Sequence, residues 1–303
     1  MTEKQKKQYT AYGGQAVIEG VMMKGPDGKS AVVCRRSNGE LVTELRHSIP
    51  LTKKYPLLGL PVLRGVVAFL DSMIGGIKIL SYSAELYGAD DDEESLSEWQ
   101  MLLAVALSLV LGVGLFMILP TVILRFLPLQ QITHPFLRNL LEGSVRILFF
   151  LTYLTAVSRM KDIRRVFEYH GAEHKTIYCY EAKLPLTVEN ARQFSTLHPR
   201  CGTSFLFIVM VVSSLFFSLF GWPNLWLRVT YRLLLMPLVA GFSYEILRYM
   251  GKIAGDNPVM DFLIRPGLWM QKLTTREPDD LQLEVAIRAL EAVLPQEEDQ
   301  KHV

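Results

Sequence analysis

The sequence predicts a mainly α-helical, polytopic membrane protein with four transmembrane helices, a small N-terminal β-hairpin region and cytoplasmic amphipathic helices. Three observations carry that prediction. Half of the 303 residues are hydrophobic and only a fifth are charged, where soluble domains average about a quarter charged. Met101 to Leu124 runs without a charge over more than the roughly 20 residues that cross hydrocarbon. Basic residues also gather beside the ends of the apolar runs, as the positive-inside rule requires.

Taken in order, residues 1–56 read as the N-terminal hairpin region. The opening MTEKQKKQYT is polar and is followed by no short apolar core with a cleavage site, so no secretory signal is expected. GGQAVIEGVMMKGPDG lacks the Walker lysine and the dinucleotide glycine spacing, and reads as strand and tight turns with Glu19 an unusual acid among apolar neighbours. Ala31–Arg36 and Leu41–Arg46 are β-prone runs flanking Asn38-Gly39, the signature of a hairpin.

Residues 57–98 read as an amphipathic helix and an acidic linker. Pro61 to Leu86 is apolar apart from a few polar residues, among them Arg64, Asp71 and Lys78, which the seven-residue spacing returns to one face. That helix could lie on the membrane surface, embed with its charged stripe toward a polar site, or pack on a cytoplasmic core. ADDDEESLSEW then connects to the first span.

The membrane domain covers 101–247, with spans at Met101–Leu124, Leu140–Ser158, Thr203–Phe220 and Val229–Leu247. A kink is expected near Pro120, and Glu142 and Arg146 are spaced to pair. Gly221, Trp222 and Pro223 predict a tight hairpin between the last two spans. Arg159, Lys161, Arg164, Arg165, Arg248 and Lys252 flank one side of these spans, which places both termini and the 159–202 connection in the cytoplasm of a cell-membrane protein. In the 248–303 tail, Pro278, Asp279 and Asp280 start a helix whose apolar stripe includes Leu281, Val285, Ala289 and Val293.

Function classes narrow on the same grounds. A formal charge of +2 excludes electrostatic nucleic-acid binding. The partner expected is the lipid bilayer, with a homo-oligomer as a further option that a transport role would need, since the spans carry few charges. Cys34, Cys179 and Cys201 are odd in number and far apart, so a disulfide framework is not expected and a reducing compartment is.

The chemistry gathers in the 159–202 connection. His170-Gly171-Ala172-Glu173-His174 is an H-x-x-E-H pattern. On a helix, residues four apart share a face, so His170 and His174 can reach one divalent metal, zinc first among them, while Glu173 stands beside it as a general base. The order is that of the inverzincins, and Gly171 weakens the helix it needs. His198 and Cys201, in the turn His198-Pro199-Arg200-Cys201, are candidate further ligands, and so is Glu245 near the end of the fourth span. Cys201 could equally be a small buried residue, and Glu245 a partner of Arg248 or Lys252. Arg200 and Lys175 suit an anionic substrate group.

GGQAVIEGVMMKGP, VFEYHGAEHKTIYCYE, HPRCGTSF and TTREPDDLQLEVAI, in that order, resemble the YqhQ-like family of bacterial membrane proteins from about Tyr12 to Val293. The resemblance implies a metal-dependent enzyme of the membrane and directs attention to His170, Glu173, His174, His198 and Cys201; it supplies no substrate. The function expected is therefore a metal-dependent hydrolase at the cytoplasmic face, with Glu173 as base. The alternative is a non-catalytic scaffold or partner-binding protein holding a structural metal.

Overall fold

The computed structural model describes residues 10–88, 97–126, 134–219, 224–253 and 257–295. Its mainly helical chain carries one small sheet. Strands β1 (Gly13–Val17), β2 (Gly20–Lys24), β3 (Lys29–Arg35) and β4 (Leu41–His47) form an antiparallel meander in chain order. The Asn-Gly hairpin is β3–β4, with Arg35 opposite Leu41 and Gly39 at φ +87° in the turn. The glycine-rich stretch upstream supplies two further strands, so the hairpin region is a four-stranded sheet. A two-residue connection joins β1 to β2, and Glu19 occupies it at φ +50°, its carboxylate held by both Arg165 and the Tyr169 hydroxyl.

Both faces of the sheet are covered, which explains why β3 is apolar throughout its centre. Ala31 and Val33 face a core built with Tyr169, Ala172, Leu283 and Ala286, while Val32 and Cys34 face Ile79. The first face belongs to α6 (Lys161–Glu181) and α11 (Asp280–Glu291); the second belongs to α2 (Leu63–Gly88). Asp279 caps α11 and Gln282 reciprocates, the capping box that the Pro-Asp-Asp start implies.

Short α1 (Leu51–Lys54) and a 3₁₀ turn lead into α2. Its seven-spaced charges go to three places: Arg64 binds Glu245, Asp71 lies 3.5 Å from Lys24, and Lys78 lines a cavity. The charged stripe thus faces polar groups while another side packs on the sheet. Near its start α2 crosses α9 (Leu225–Ile253) where Gly65 meets Gly241, and a Cβ at Gly65 would lie 2.7 Å from the Gly241 carbonyl oxygen.

The helical layer comprises α3 (Glu98–Val113), a π turn (Gly114–Ile118), α4 (Leu119–Arg125), α5 (Pro135–Val157), α8 (Gly202–Ser218) and α9, with short α7 (Val188–Arg192) outside it. The kink expected at Pro120 takes the form of that π turn, in which the Leu119 N–H reaches back to the Gly114 carbonyl. The extra residue relieves the clash a proline ring makes with the preceding turn. Glu142 pairs with Arg146 as the spacing predicts, and also with Arg232.

Among the described residues, three helices are long and apolar enough to cross a membrane: Trp99–Ile123, Phe136–Val157 and Val229–Met250. The four spans expected are corrected to three, because the Thr203–Phe220 candidate is α8, a helix of 17 residues. At 1.5 Å per residue it reaches roughly 26 Å, less than the ~30 Å of hydrocarbon. It starts only after the Cys201 cap, which sets its length from one end. The Gly221-Trp222-Pro223 hairpin and most of the acidic linker lie outside the described residues. The tail also contains a helix that periodicity did not separate, α10 (Pro258–Thr274), capped by Asn257 and opened by Pro258.

Candidate metal centre

Helix α6 presents His170 and His174 on one face, their ring centroids 4.5 Å apart. Gly171 between them has a reason: the chain after α10 crosses the helix there. Arg276 donates its N–H to the Phe167 carbonyl at 2.9 Å, and a Cβ on Gly171 would stand 2.0 Å from the Arg276 carbonyl oxygen. The helix accepts its weakest residue so that this strap can lie against it.

The strap and the 193–198 loop then orient the imidazoles. His170 Nδ1 lies 2.8 Å from the Thr274 carbonyl oxygen and His174 Nδ1 lies 2.5 Å from that of Thr196. A carbonyl can only accept, so each Nδ1 is the donor and each neutral ring turns its Nε2 lone pair inward. That is the outer-shell arrangement of metal-binding histidines. His170 Nε2 is 3.1 Å from Cys201 Sγ, and the donor atoms of His170, His174 and Cys201 all lie within 4.8 Å of one another.

Cys201 is brought there as the cap of α8, its sulfur accepting the Thr203 N–H at 3.4 Å. The preceding turn is fastened by Gln271 of α10, whose amide takes the His198 N–H and donates to the His198 carbonyl, both at 2.8 Å. The same amide reaches Ser204 Oγ at 2.9 Å. Of the three cysteines only Cys201 joins such a cluster; all three are free, buried thiols.

Glu173 is buried beside this group, on the wall of the same cavity. Burial pushes its carboxyl above the usual carboxylate range, against the opposing pull of His170 and of the Gly14 backbone N–H. Burial likewise holds the His174 imidazole below its ordinary value, although Cys201 and the Thr196 carbonyl work the other way. Gly14 is needed for this closeness, since a Cβ there would come within 3.1 Å of Glu173 Cδ and 2.5 Å of the Met22 carbonyl oxygen.

The other sequence candidates go elsewhere. His198 stands next to the cluster, its ring 5.6 Å from that of His174, but its Nε2 is 3.6 Å from Glu181 Oε2. Arg200 lines the cavity with its guanidinium engaged by Glu181 and by the Thr10 carbonyl at 2.6 Å. Burial alone would raise Glu181; His198, the Thr10 N–H and Arg200 outweigh it and hold the carboxyl below its ordinary value. Lys175 points away from the cavity, into the Arg192 carbonyl and Glu277, both within 2.9 Å. Glu245 joins α9 to α2 through Arg64 and the Val62 N–H, outside the His-His-Cys group.

Sequence reasoning missed Glu181, Gln271 and Gly14. Glu181 alone left a signal, since it falls seven residues after His174 and so on nearly the same helix face. The cavity itself is large, about 1050 Å³, and is lined by β1 and β2, the middle of α2, α6 and the start of α8. Gly75 and Gly76 of α2 and Gly13 and Gly14 of β1 keep its walls low. Lys24, Arg46 and Lys78 give it basic groups besides Arg200, and Leu206 an apolar edge.

The model of a protein family of unknown function, DUF1385, matches residues 60–296, well over half of the chain. The chain belongs to this family. The matched range holds His170, His174 and Cys201 of the cluster and the neighbouring Glu173, while the whole of the sheet precedes it. The chain is also 37% identical to the uncharacterized protein YqhQ of Bacillus subtilis (strain 168) over 300 residues, covering 94% of this chain and 92% of that one. No solved structure matches.

Proposed function

We propose that this family member is a metal-dependent hydrolase working at the cytoplasmic face of the cell membrane, with His170 Nε2, His174 Nε2 and Cys201 Sγ as the metal's protein ligands. The observation that carries the reading is the pair of Nδ1–carbonyl hydrogen bonds, which aim two imidazole lone pairs at one thiol. Two nitrogens and a sulfur suit zinc, and three protein ligands beside a cavity are the pattern of a catalytic rather than a closed structural site. The ion would supply Lewis acidity and a lowered pKa for bound water.

What the chain itself does is hold and move a proton. Glu173, buried and adjacent to His174, takes a proton from the attacking water and returns it to the leaving group. The Thr274 and Thr196 carbonyls keep both rings from turning, and Glu173 lines the cavity beside them. The cytoplasmic assignment rests on Arg159, Lys161, Arg164 and Arg165 after α5 and on Arg248 and Lys252 late in α9.

A scaffold with a structural metal is the second reading, favoured by the way the three donors tie α6 to α8. Chelation separates the two. Protein stripped of metal is expected to keep its far-ultraviolet circular dichroism and melting temperature within a few degrees, and to lose hydrolysis of chromogenic ester, peptide and phosphoester reporters in micelles until zinc is restored. Unfolding on chelation, with no reporter turned over at any metal loading, would favour the scaffold.

A further inference from the structure

Helix α2 carries two faces, and the fold covers one of them. Gly65, Ile79 and Ser83 are its buried residues, Gly65 against α9, Ile79 and Ser83 toward the sheet. On the opposite side Leu63, Leu70, Ile74 and Ile77 recur at helical spacing, and all are exposed. The turn leading into α2 continues that apolar surface, with Leu57 75% and Leu60 50% exposed.

What covers this surface follows from its level in the fold. Gly65 meets Gly241 of α9, nine residues before Met250, where the span ends. At 1.5 Å per residue that is about 14 Å along the helix, close to half of the ~30 Å of hydrocarbon. Met250 is at the end nearer the sheet. The start of α9 lies at the far end, since Arg232 pairs with Glu142 and nearby Asn139 donates to the Ser218 carbonyl at the end of α8. From Gly65, α2 climbs toward the sheet, and Phe69, one turn on, already touches Phe205 just past the Cys201 cap of α8.

The entry turn is also built to be dry. The Leu60, Leu63 and Arg64 N–H groups donate to the Leu57, Pro61 and Leu60 carbonyls, the Val62 N–H donates to Glu245 Oε1, and Pro61 has no N–H to place. Arg64 is bound to that same carboxylate. Backbone that meets hydrocarbon must be satisfied within the protein, and a charge there needs a partner; a turn in water requires neither. Val62 holds φ +69° to make this arrangement, a costly conformation for a β-branched residue. Just before the turn, Lys53, Lys54 and Tyr55 are residue types of a headgroup boundary.

We propose that α2 is a re-entrant helix: residues 57–77 enter the half of the bilayer nearer the sheet, and lipid acyl chains cover Leu57, Leu60, Leu63, Leu70 and Ile74. Another side of the same helix lines the large cavity through Asp71, Gly75 and Lys78, so that cavity stands at the membrane surface. The inference rests on α9 crossing the bilayer and is independent of the metal reading.

Spin labels on the full chain in nanodiscs of phosphatidylcholine and phosphatidylglycerol test it, at Leu57→Cys and Leu60→Cys, by power saturation with oxygen and with a nickel chelate. Leu107→Cys, exposed in the first span, and Glu85→Cys, exposed late in α2, supply the lipid and water references. The parent chain supplies the background of its three buried thiols. All four sites are exposed, so the substitutions should leave the fold intact. The labels at 57 and 60 are expected to follow the label at 107, relaxed by oxygen and with the nickel effect lost. Nickel relaxation at either site equal to that at 85 would overturn the proposal, because the turn would then lie in water. Exclusion of both reagents would overturn it too, and would assign the surface to a protein partner or a second copy of the chain.

Discussion

Glu173→Gln is expected to abolish hydrolysis while leaving the metal in place. Glutamine keeps the size of the side chain, so the cavity wall is preserved. It cannot take a proton. General bases contribute about 10² to 10⁴ in rate, and turnover should fall by that factor while metal content per chain stays at the wild-type level. The residue is not within the donor group of His170, His174 and Cys201, so lost activity with retained metal separates a base from a ligand. Full activity in the variant would remove Glu173 from the mechanism, and loss of the metal would make it a ligand.

A larger structural effect is expected at Gly171. Any Cβ there meets the Arg276 carbonyl oxygen at 2.0 Å, a backbone atom with no flexible end to swing away. Overpacking typically costs about 1 to 3 kcal/mol, and a clash of backbone against helix belongs at the upper end. Alanine, the best helix former, should therefore destabilise the protein although it improves local propensity. The strap must lift, taking the Thr274 carbonyl away from His170 Nδ1, so the metal should weaken with the fold. Thermal unfolding in detergent and protease cleavage near Thr275 to Pro278 would read the first effect, and metal affinity the second. A variant as stable as the parent would show that the strap does not press on α6.

How far the sequence could be read depended on the range of each interaction. Asn38-Gly39 announced the β3–β4 turn and Asp279 the start of α11 because turns and caps are local. His170, Glu173 and His174 were legible for the same reason, their spacing on one helix being sufficient to place them together. Cys201 rested on ligand chemistry and its neighbour His198, yet only the fold shows that Cys201 meets the two imidazoles while His198 turns to Glu181.

What could not be read is non-local or carried by the backbone. Glu245 looked like a ligand or a partner of Arg248, but its partner is Arg64, 181 residues away, because α2 crosses α9 at Gly65 and Gly241. The carbonyls of Thr196 and Thr274 have no signature in side-chain chemistry at all. The third of the four expected spans failed on a similar point: Thr203–Phe220 is apolar enough, but Cys201 caps the helix at its start and leaves it 17 residues long.

The central claim is that two oriented imidazoles and one thiol hold a metal. It is tested most directly by metal content per chain, by mass spectrometry on tag-free protein, for wild type beside His170→Ala/His174→Ala. The account predicts about one zinc or similar divalent ion per wild-type chain and none in the double variant. A wild-type protein that binds no metal even after reconstitution, or a double variant that keeps its ion, would contradict it.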